Sequence, residues 1–215
     1  METSNAERPR RRPGRPEQPI ARSELVRIAR EQFAVHGYDG VSMAEIASLA
    51  GLQKSSLFHH FPTKAELYRA SLESVIVEAG AVLVRAMENA TASWSERLDA
   101  AAAATTDADA DPCRARLLLR EFMTTTGNRE GGDAMQTVFA AVVRFYEDGA
   151  AAGAWPAQDF RQLVMSHVGV HLVFFGLPEV SGRLLGVESI FTDAVVADRK
   201  RAVMMHVRCT LGLLP

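Results

Sequence analysis

A run of polar side chains near residue 55 carries hydrogen-bonding groups at a spacing suited to contacting another molecule. The segment from residue 53 to residue 60 has a helical pattern, and its polar members include Gln53, Lys54, Ser55, Ser56 and His59. These side chains combine donors and acceptors with a positive charge, the mixture that contacts base edges and phosphates. The same pattern fits an ordinary helical hairpin with a polar outer face, so the neighbouring elements must decide between the two.

Two short helices separated by a glycine turn are predicted to position this segment. Ser42 and Glu45 form a capping box that begins the first short helix, and Gly51 ends it. Apolar residues of both short helices can pack against a longer preceding helix: Phe33, Ile46, Ala47, Ala50, Leu57 and Phe61. This layout is typical of a helix-turn-helix reader of DNA, with its motif at residues 42–61. The amide at Ser42 and the side chain of Lys64 are expected to contact phosphates.

Positive charge is concentrated at the start of the chain. Residues 1–70 contain 11 Lys and Arg against 8 Asp and Glu, whereas residues 71–215 contain 13 against 18. Residues 1–19 hold five arginines and four prolines and are predicted to form a disordered basic arm. Arg12 and Arg15 are candidates for entering a narrow minor groove. A solubilising tail is the alternative for this arm.

The pattern after residue 66 is also helical, and no run alternates with period two for long enough to form a strand, which predicts an all-α fold. Further capping boxes are predicted at Thr63 and Ser93, and a helix is predicted to begin at Asp111-Pro112. Residues 107–111 are expected to form a loop. Two late helices, about 158–176 and 190–212, are apolar around much of their circumference, so a second copy of the chain is expected to cover part of them.

Composition and spacing argue against several classes of function. The chain is 47% hydrophobic and 23% charged, and no apolar run reaches the ~20 residues of a membrane span. With no signal segment evident, a soluble cytoplasmic protein without a membrane partner is expected. Cys113 and Cys209 match no zinc spacing, and the pair His167 and His171 lacks a third ligand, so neither a metal site nor a cofactor is expected. No activated nucleophile, carboxylate pair or cofactor loop is recognisable, so the chain is not predicted to be an enzyme.

Residues 22–72 resemble the DNA-binding domain of the TetR family, the tetracycline-repressor-like regulators. The matching residues are Ala29, Phe33, 36–38, 41–52, Lys54 and 56–67. The resemblance implies that Ser42 caps the motif and touches phosphate, that Lys54 and Ser56 lie on the recognition helix, and that His59 and Lys64 approach the DNA backbone. Thr63, which precedes Lys64, belongs to the same expected interface. Gln53, Ser55, Phe58 and His59 depart from the usual family residues, which leaves the base preference open.

The family fold implies a helix-turn-helix domain at residues 20–66 and a helical effector-binding and dimerisation domain at residues 67–215. The last two helices are expected to form a homodimer, and the dimer is expected to bind a palindromic operator in double-stranded DNA. A small, largely apolar effector would fit a lining of apolar side chains and two histidines: Met87, Phe122, Met123, Phe139, Val143, Tyr146, His167 and His171. The prediction is a transcriptional repressor released by an effector; the alternatives are an architectural DNA-binding dimer and a regulator controlled by a protein partner.

Overall fold

The computed structural model describes residues 20–123 and 132–213, and within these ranges the regular structure is entirely α-helical. The helices are α1 (Arg22–His36), α2 (Met43–Leu49), α3 (Lys54–His60), α4 (Lys64–Met87), α5 (Trp94–Asp109), α6 (Pro112–Met123), α7 (Gly132–Ala151), α8 (Phe160–Gly176), α9 (Pro178–Leu185) and α10 (Asp193–Thr210). The predicted all-α class is confirmed. The predicted basic arm, with Arg12 and Arg15, lies outside the described residues.

Side-chain caps begin many of these helices, as the sequence pattern predicted. Ser42 begins α2 and Ser93 begins α5, each in a reciprocal capping box with the glutamate three residues later. Thr63 accepts a hydrogen bond from the amide of Glu66, but the return bond of a full capping box is missing. The prediction of a complete box at Thr63 is therefore wrong, although the hydroxyl still satisfies one of the free amides of α4.

Two glycines shape the turns on either side of α2. Gly37 ends α1 with a φ of 73°, and Gly51 turns the chain between α2 and α3 with a φ of 67°. Residues with a Cβ rarely adopt such values, so both turns favour glycine. At Gly37 a Cβ would also lie 3.0 Å from a guanidinium nitrogen of Arg120, so α6 approaches the end of α1 closely.

The first core joins α1, α2 and α3 to the beginning of α4 and to α6. Its fully buried members include Leu25, Phe33, Ile46, Leu57, Phe61, Leu67, Leu72 and Leu117. Phe33 packs edge-to-face on Tyr68, with the ring centroids 5.0 Å apart. The packing therefore continues without a break across the boundary predicted at residues 66 and 67, because one side of α4 is buried with the short helices.

The second core lies farther along α4 and is closed by α5, α7, α8 and α10. Aromatic residues dominate it, including Phe145, Tyr146, Trp155 and Phe160. The indole nitrogen of Trp155 donates to the carbonyl of Tyr146 at 2.9 Å, which satisfies the polar atom of a buried ring. This core lines much of the cavity described below.

One prediction for the C-terminal part is corrected, and one helix had not been predicted. Residues 107–109, expected in a loop, instead form the last turn of α5, where Asp107 pairs with Lys200 and Asp109 faces His171. Long-range pairing thus stabilises a helical turn that its polar composition disfavours. Between the two late helices the chain forms the short helix α9, which begins at Pro178 and ends at Gly186 with a φ of 67°.

No single helix among the described residues is long and apolar enough to cross a membrane. The helices α8 and α9 would be long and apolar enough only if taken together, and the chain bends by 86° between them.

Candidate nucleic-acid interface and ligand cavity

The short helix α3 is held by one side and presents the other to solvent. Leu57 is fully buried in the first core, whereas Ser55 and His59 are exposed. At about 3.6 residues per turn, Ser55 and His59 lie on the face opposite Leu57. Gln53 is the N-cap residue of α3 but makes no side-chain capping bond, so its amide is available to a partner. Lys54 is exposed and Ser56 is half-buried.

Ser42 and Thr63 both face solvent at the starts of helices, where their side chains already have partners. The Ser42 amide donates to Glu45 Oε2 at 2.7 Å, and Ser42 Oγ accepts from the Glu45 amide at 3.2 Å. Glu45 thus occupies the amide that was expected to bind phosphate and also bonds to the Ser42 side chain, so a phosphate at Ser42 would have to displace the Glu45 carboxylate. The bond from the Ser42 amide, followed by that from its side chain, lowers the pKa of Glu45.

Lys64 lies against an aromatic cluster on the same side of the molecule. Its ammonium nitrogen is 4.3 Å from the centre of the Tyr38 ring, and that ring packs on Tyr68 with centroids 5.1 Å apart. A cation over an aromatic face is attracted to it, so the ring restricts where the lysine can point. Tyr38 was part of the sequence match but was not predicted as a site residue. Its role is to restrict the position of Lys64, and only this contact reveals it.

The described part of the first domain is balanced in formal charge, so the position of each cation matters. Residues 20–66 contain five Lys and Arg and five Asp and Glu. Arg27 pairs with Glu24 and Glu31, and Arg30 pairs with Glu78. Within the described ranges, no carboxylate forms an ion pair with the three remaining cations, Arg22, Lys54 and Lys64.

Sequence reasoning left out Arg22 and Phe58, which accompany the predicted interface. The guanidinium of Arg22 lies 4.3 Å from the ring centre of buried Phe61, at the end of α3. Phe58 is 38% exposed, and Lys54 lies 5.6 Å from its ring centre. The available signal in the sequence was the four-residue spacing of Lys54 and Phe58. This spacing places both side chains on one face of α3, beside the face that carries the buried Leu57.

A cavity of about 160 Å³ lies between the two cores, lined by Val75, Ile76 and Leu118 of the first core and by members of the second core. Six predicted lining residues border it: Met87, Phe122, Phe139, Tyr146, His167 and His171. Met123 is 73% exposed and lies outside the cavity, because it points away at the last turn of α6. Val143 borders a separate groove with Arg144 and Glu147 on the outer side of α7. Thr105 and Asp109 of α5 are polar lining residues that the sequence did not indicate; Asp109 was expected in the loop at residues 107–111.

Two groups of polar side chains interrupt the apolar wall. Tyr146 Oη lies 3.1 Å from His167 Nδ1, and His167 Nε2 lies 3.4 Å from Thr210 Oγ1. Burial lowers the pKa of His167 to about 4, helped by the nearby His206 and His171, and burial also raises the pKa of Tyr146. In the second group, His171 Nδ1 lies 3.2 Å from Asp109 Oδ2. Within the described ranges, no cluster of three or more His, Cys, Asp or Glu residues could hold a metal ion.

Comparison with known proteins identifies the first domain. The family model for bacterial regulatory proteins of the tetR family matches residues 25–71. Residues 25–71 are therefore similar to the DNA-binding domain of that family and are called the tetR-family domain below. The HTH-type transcriptional repressor AcnR of Corynebacterium diphtheriae is 32% identical over 72 residues, covering 30% of this chain and 38% of that protein. The HTH-type transcriptional activator FasR of Mycolicibacterium smegmatis is 44% identical over 52 residues, 24% of each chain. The matches thus span well under half of either relative.

Solved structures share the fold well beyond the tetR-family domain. The regulator FadR from Bacillus subtilis, solved in complex with stearoyl-CoA, has a TM-score of 0.71 at 12% identity, covering 90% of this chain and 99% of that one. The fatty acid degradation regulator FadR from Bacillus halodurans has a TM-score of 0.70 at 14% identity, covering 87% and 96%. The arrangement of helices is therefore that of these regulators across most of the described residues.

Helix α6 joins the tetR-family domain to the cavity. Leu118 and Phe122 line the cavity from α6. From the same helix, Arg120 donates to the carbonyl of Val35 near the end of α1 at 3.1 Å. Tyr68 of α4 donates to Glu121 at 3.2 Å. A shift of α6 on occupation of the cavity would consequently act directly on two helices of the tetR-family domain.

The late helices bury part of the apolar surface within the chain and leave part exposed. Part of the apolar surface of the late helices is buried in the chain's own cores: Leu163, Val164, Phe175, Val203, Val207 and Leu211. Exposed apolar side chains remain on α8 at Met165 and Val173 and on α10 at Met205. The unexpected helix α9 adds Val180, Leu184 and Leu185 to the exposed surface. Their exposure leaves apolar surface of the kind that a second protein copy covers.

Proposed function

We propose that this chain is a sequence-specific DNA-binding transcriptional regulator, a repressor released by a small-molecule effector. The observation that carries the proposal is the polar, exposed face of α3, anchored by Leu57 in a tetR-family domain. The relatives named above are transcription regulators, and we propose no catalytic activity for this chain. Residues 20–66 read DNA and residues 67–215 bind the effector and dimerise, in the cytoplasm where the chromosome lies.

Within the DNA-binding domain we assign two kinds of contact. Gln53, Lys54, Ser55, Ser56 and His59 approach base edges and the adjacent backbone from α3, which enters the major groove. Ser42, Thr63 and Lys64 contact phosphates and so fix the position of α3. Arg12 and Arg15 of the N-terminal arm enter the neighbouring minor groove. The absence of ion-pair partners for Lys54 and Lys64 among the described residues supports the availability of both charges.

We propose that the DNA-bound form is a homodimer through α8 and α10. The exposed apolar side chains of Met165, Val173 and Met205 support this arrangement. A two-fold dimer presents two copies of α3, so it should bind an inverted repeat. The half-sites of that repeat should lie about 34 Å apart, or a small multiple of that distance.

The first experiment identifies the DNA target. Genomic fragments retained by the purified chain are sequenced, and the bound sites are footprinted. We expect one short inverted repeat, and we expect the double variant Ser55→Glu, His59→Glu to lose it while keeping its helical content. Broad coverage without a shared sequence would favour the architectural alternative. Binding of a single asymmetric half-site by one protomer would contradict the dimer.

A transcription assay on the recovered site tests the direction of regulation. The operator is placed across a promoter, and the amount of transcript is measured with and without the chain. A repressor lowers the transcript. An increase would contradict repression. The measurement is needed because one relative named above is a repressor and the other is an activator.

The effector role predicts a reciprocal effect between the cavity and DNA. A ligand that favours the non-binding arrangement weakens operator binding by about 5- to 150-fold for a coupling of about 1–3 kcal/mol. By linkage, operator DNA weakens ligand binding by the same factor. Calorimetry with and without operator measures this ratio. Equal ligand affinities under the two conditions would contradict allosteric release, and release by an added protein alone would favour control by a partner.

A further inference from the structure

The charges around the cavity restrict what can occupy it. Its lining is mainly apolar, and its polar members are Thr105, Asp109, Tyr146, His167 and His171. No lysine or arginine is among the described residues that line it. An anionic group bound there would lose its hydration, meet no lysine or arginine in the lining and share the cavity with the carboxylate of Asp109, each of which costs free energy.

The hydrogen bonds at His167 determine which way Tyr146 points its proton. The Thr210 hydroxyl donates to the carbonyl of Val207 at 2.9 Å, so its oxygen accepts from His167 Nε2. The proton of the neutral ring is then on Nε2, and Nδ1 accepts the hydroxyl proton of Tyr146. The low pKa of His167 keeps that ring neutral at physiological pH. With its proton committed, Tyr146 has only oxygen lone pairs to offer to a ligand.

The other polar wall also offers acceptors. The Thr105 hydroxyl donates to the carbonyl of Ala101 at 2.9 Å, so its oxygen is left to accept. A carboxylate oxygen accepts hydrogen bonds, and one of the two on Asp109 lies 3.2 Å from His171 Nδ1. Tyr146 and Asp109 therefore present the same kind of group from two sides of the cavity. A ligand that satisfies them must bring the hydrogen.

We propose that the cavity binds a small apolar molecule that carries a hydrogen-bond donor, a hydroxyl or an amine, and no negative charge. This assignment rests on the proposed function, since it names the class of effector for the same site. A cavity of about 160 Å³ has room for roughly one six-membered ring, because an engineered cavity of about 150 Å³ in another protein takes up benzene. A longer molecule would need the walls to move apart.

A matched series of single-ring probes tests the class with the full chain in the absence of DNA. Benzyl alcohol, benzylamine, toluene and benzoate differ mainly in the polar group, and their dissociation constants are measured by protein-observed NMR titration. We expect the alcohol and the amine to bind about 3- to 10-fold more tightly than toluene. Benzoate should bind at least about tenfold more weakly than the alcohol. Tightest binding by benzoate, or equal binding of the alcohol and toluene, would overturn the proposal.

Two variants identify the acceptor. Tyr146→Phe removes the phenolic oxygen and should reduce the preference for benzyl alcohol over toluene to less than about twofold. Asp109→Asn removes the negative charge and should weaken benzylamine while strengthening benzoate. Val77→Ala, at an exposed position of α4, is the matched control and should leave all four constants unchanged. If neither cavity variant changed the order of the series while both kept their helical content, the assignment of acceptors would be wrong.

A separate measurement distinguishes this inference from the proposed function. Operator affinity is determined with and without saturating benzyl alcohol. If the series follows the expected order but operator affinity stays the same, the ligand class is supported and the effector role is contradicted. If benzoate binds best and releases DNA, the effector role is supported and the ligand class is contradicted.

Discussion

At the scale of single residues, Lys64 and Lys54 differ in the contacts that restrict their side chains. The ring of Tyr38 lies beneath Lys64, whereas Lys54 is exposed on α3 near Phe58. A lysine held in place suits a phosphate, which lies at the same position on any DNA sequence. A lysine on the recognition helix can instead distinguish one base from another.

We therefore expect the two lysine variants to fail differently. Lys64→Ala should weaken binding to all DNA sequences about equally and reduce the slope of log affinity against log salt by about one. Lys54→Ala should change the preference among sequences by about 1–3 kcal/mol per lost base contact. Fluorescence anisotropy at several salt concentrations measures both effects. Arg85→Ala, at an exposed position of α4, is the control, and an unchanged slope for Lys64→Ala would contradict the phosphate contact.

His167 predicts how stability depends on pH. Burial, together with His206 and His171, lowers its pKa in the folded chain to about 4, from about 6.5 in the unfolded chain. Above pH 6.5 the ring is neutral in both states, so the folded state suffers no penalty. Between pH 6.5 and 4 the unfolded chain takes up a proton that the folded chain does not, so the free energy of unfolding falls as pH falls.

The loss attributable to His167 should reach about 3 kcal/mol at pH 4. Urea unfolding at a series of pH values measures it, and His167→Gln should have a correspondingly flatter profile across this window. His59→Gln removes an exposed imidazole on α3 and is the control. A profile for His167→Gln parallel to that of the unaltered chain would contradict the buried neutral ring.

At the scale of helices, two capping boxes of the same type serve different parts of the molecule. Ser42 begins α2, which packs beside α3, and Ser93 begins α5, which lines the cavity. The hydrogen bonds are nearly identical, since the amide of each serine donates to the following glutamate at 2.7 or 2.8 Å. The pair therefore separates the effect of a cap on stability from an effect on DNA binding.

Ser42→Ala and Ser93→Ala should each lower the free energy of unfolding by about 1 kcal/mol. Only Ser42→Ala should weaken operator binding, because it removes a proposed phosphate contact and loosens the helix beside α3. Chemical unfolding and anisotropy on the same samples provide the comparison. Equal loss of operator affinity in the two variants would show that stability alone governs binding, which would refute the proposed contact.

At the scale of the whole molecule, the late helices and α9 leave exposed apolar side chains that a second copy can cover. Val173 on α8 is 55% exposed and Val77 on α4 is 59% exposed, so a charge at either position is accessible to water in a monomer. A charge at a dimer seam would instead be buried without a partner when two copies meet. The two valines thus form a matched pair for testing where the copies meet.

Val173→Glu should convert the dimer to monomers at micromolar concentration and abolish tight operator binding, since two linked copies of α3 are needed to span an inverted repeat. Val77→Glu should leave both properties unchanged. Analytical ultracentrifugation gives the association state, and anisotropy gives the affinity. An unaltered chain that sediments as a monomer would rule out this assembly.

Features that depend on neighbours three or four residues away could be predicted without the structure. The caps at Ser42 and Ser93, the turn at Gly51 and the alternation of buried Leu57 with exposed Ser55 and His59 are of this kind. Each arises from hydrogen bonds or from helical spacing within one short segment. The recognisable pattern of the tetR-family domain is the sum of such local features, so it could be identified before any distance was known.

Tertiary structure alone decided the character of the cavity. Tyr146, His167 and Thr210 come together from three helices, and Asp109 meets His171 across sixty residues of chain. Local composition assigned Asp109 to a loop, because the pairing that holds it in α5 lies far away in the sequence. The proton on Tyr146 likewise depends on a hydroxyl in α10. Whether the Tyr146 hydroxyl offers its hydrogen or a lone pair to a ligand therefore depends on the folded hydrogen-bond network, because His167 and Thr210 determine where that hydrogen points.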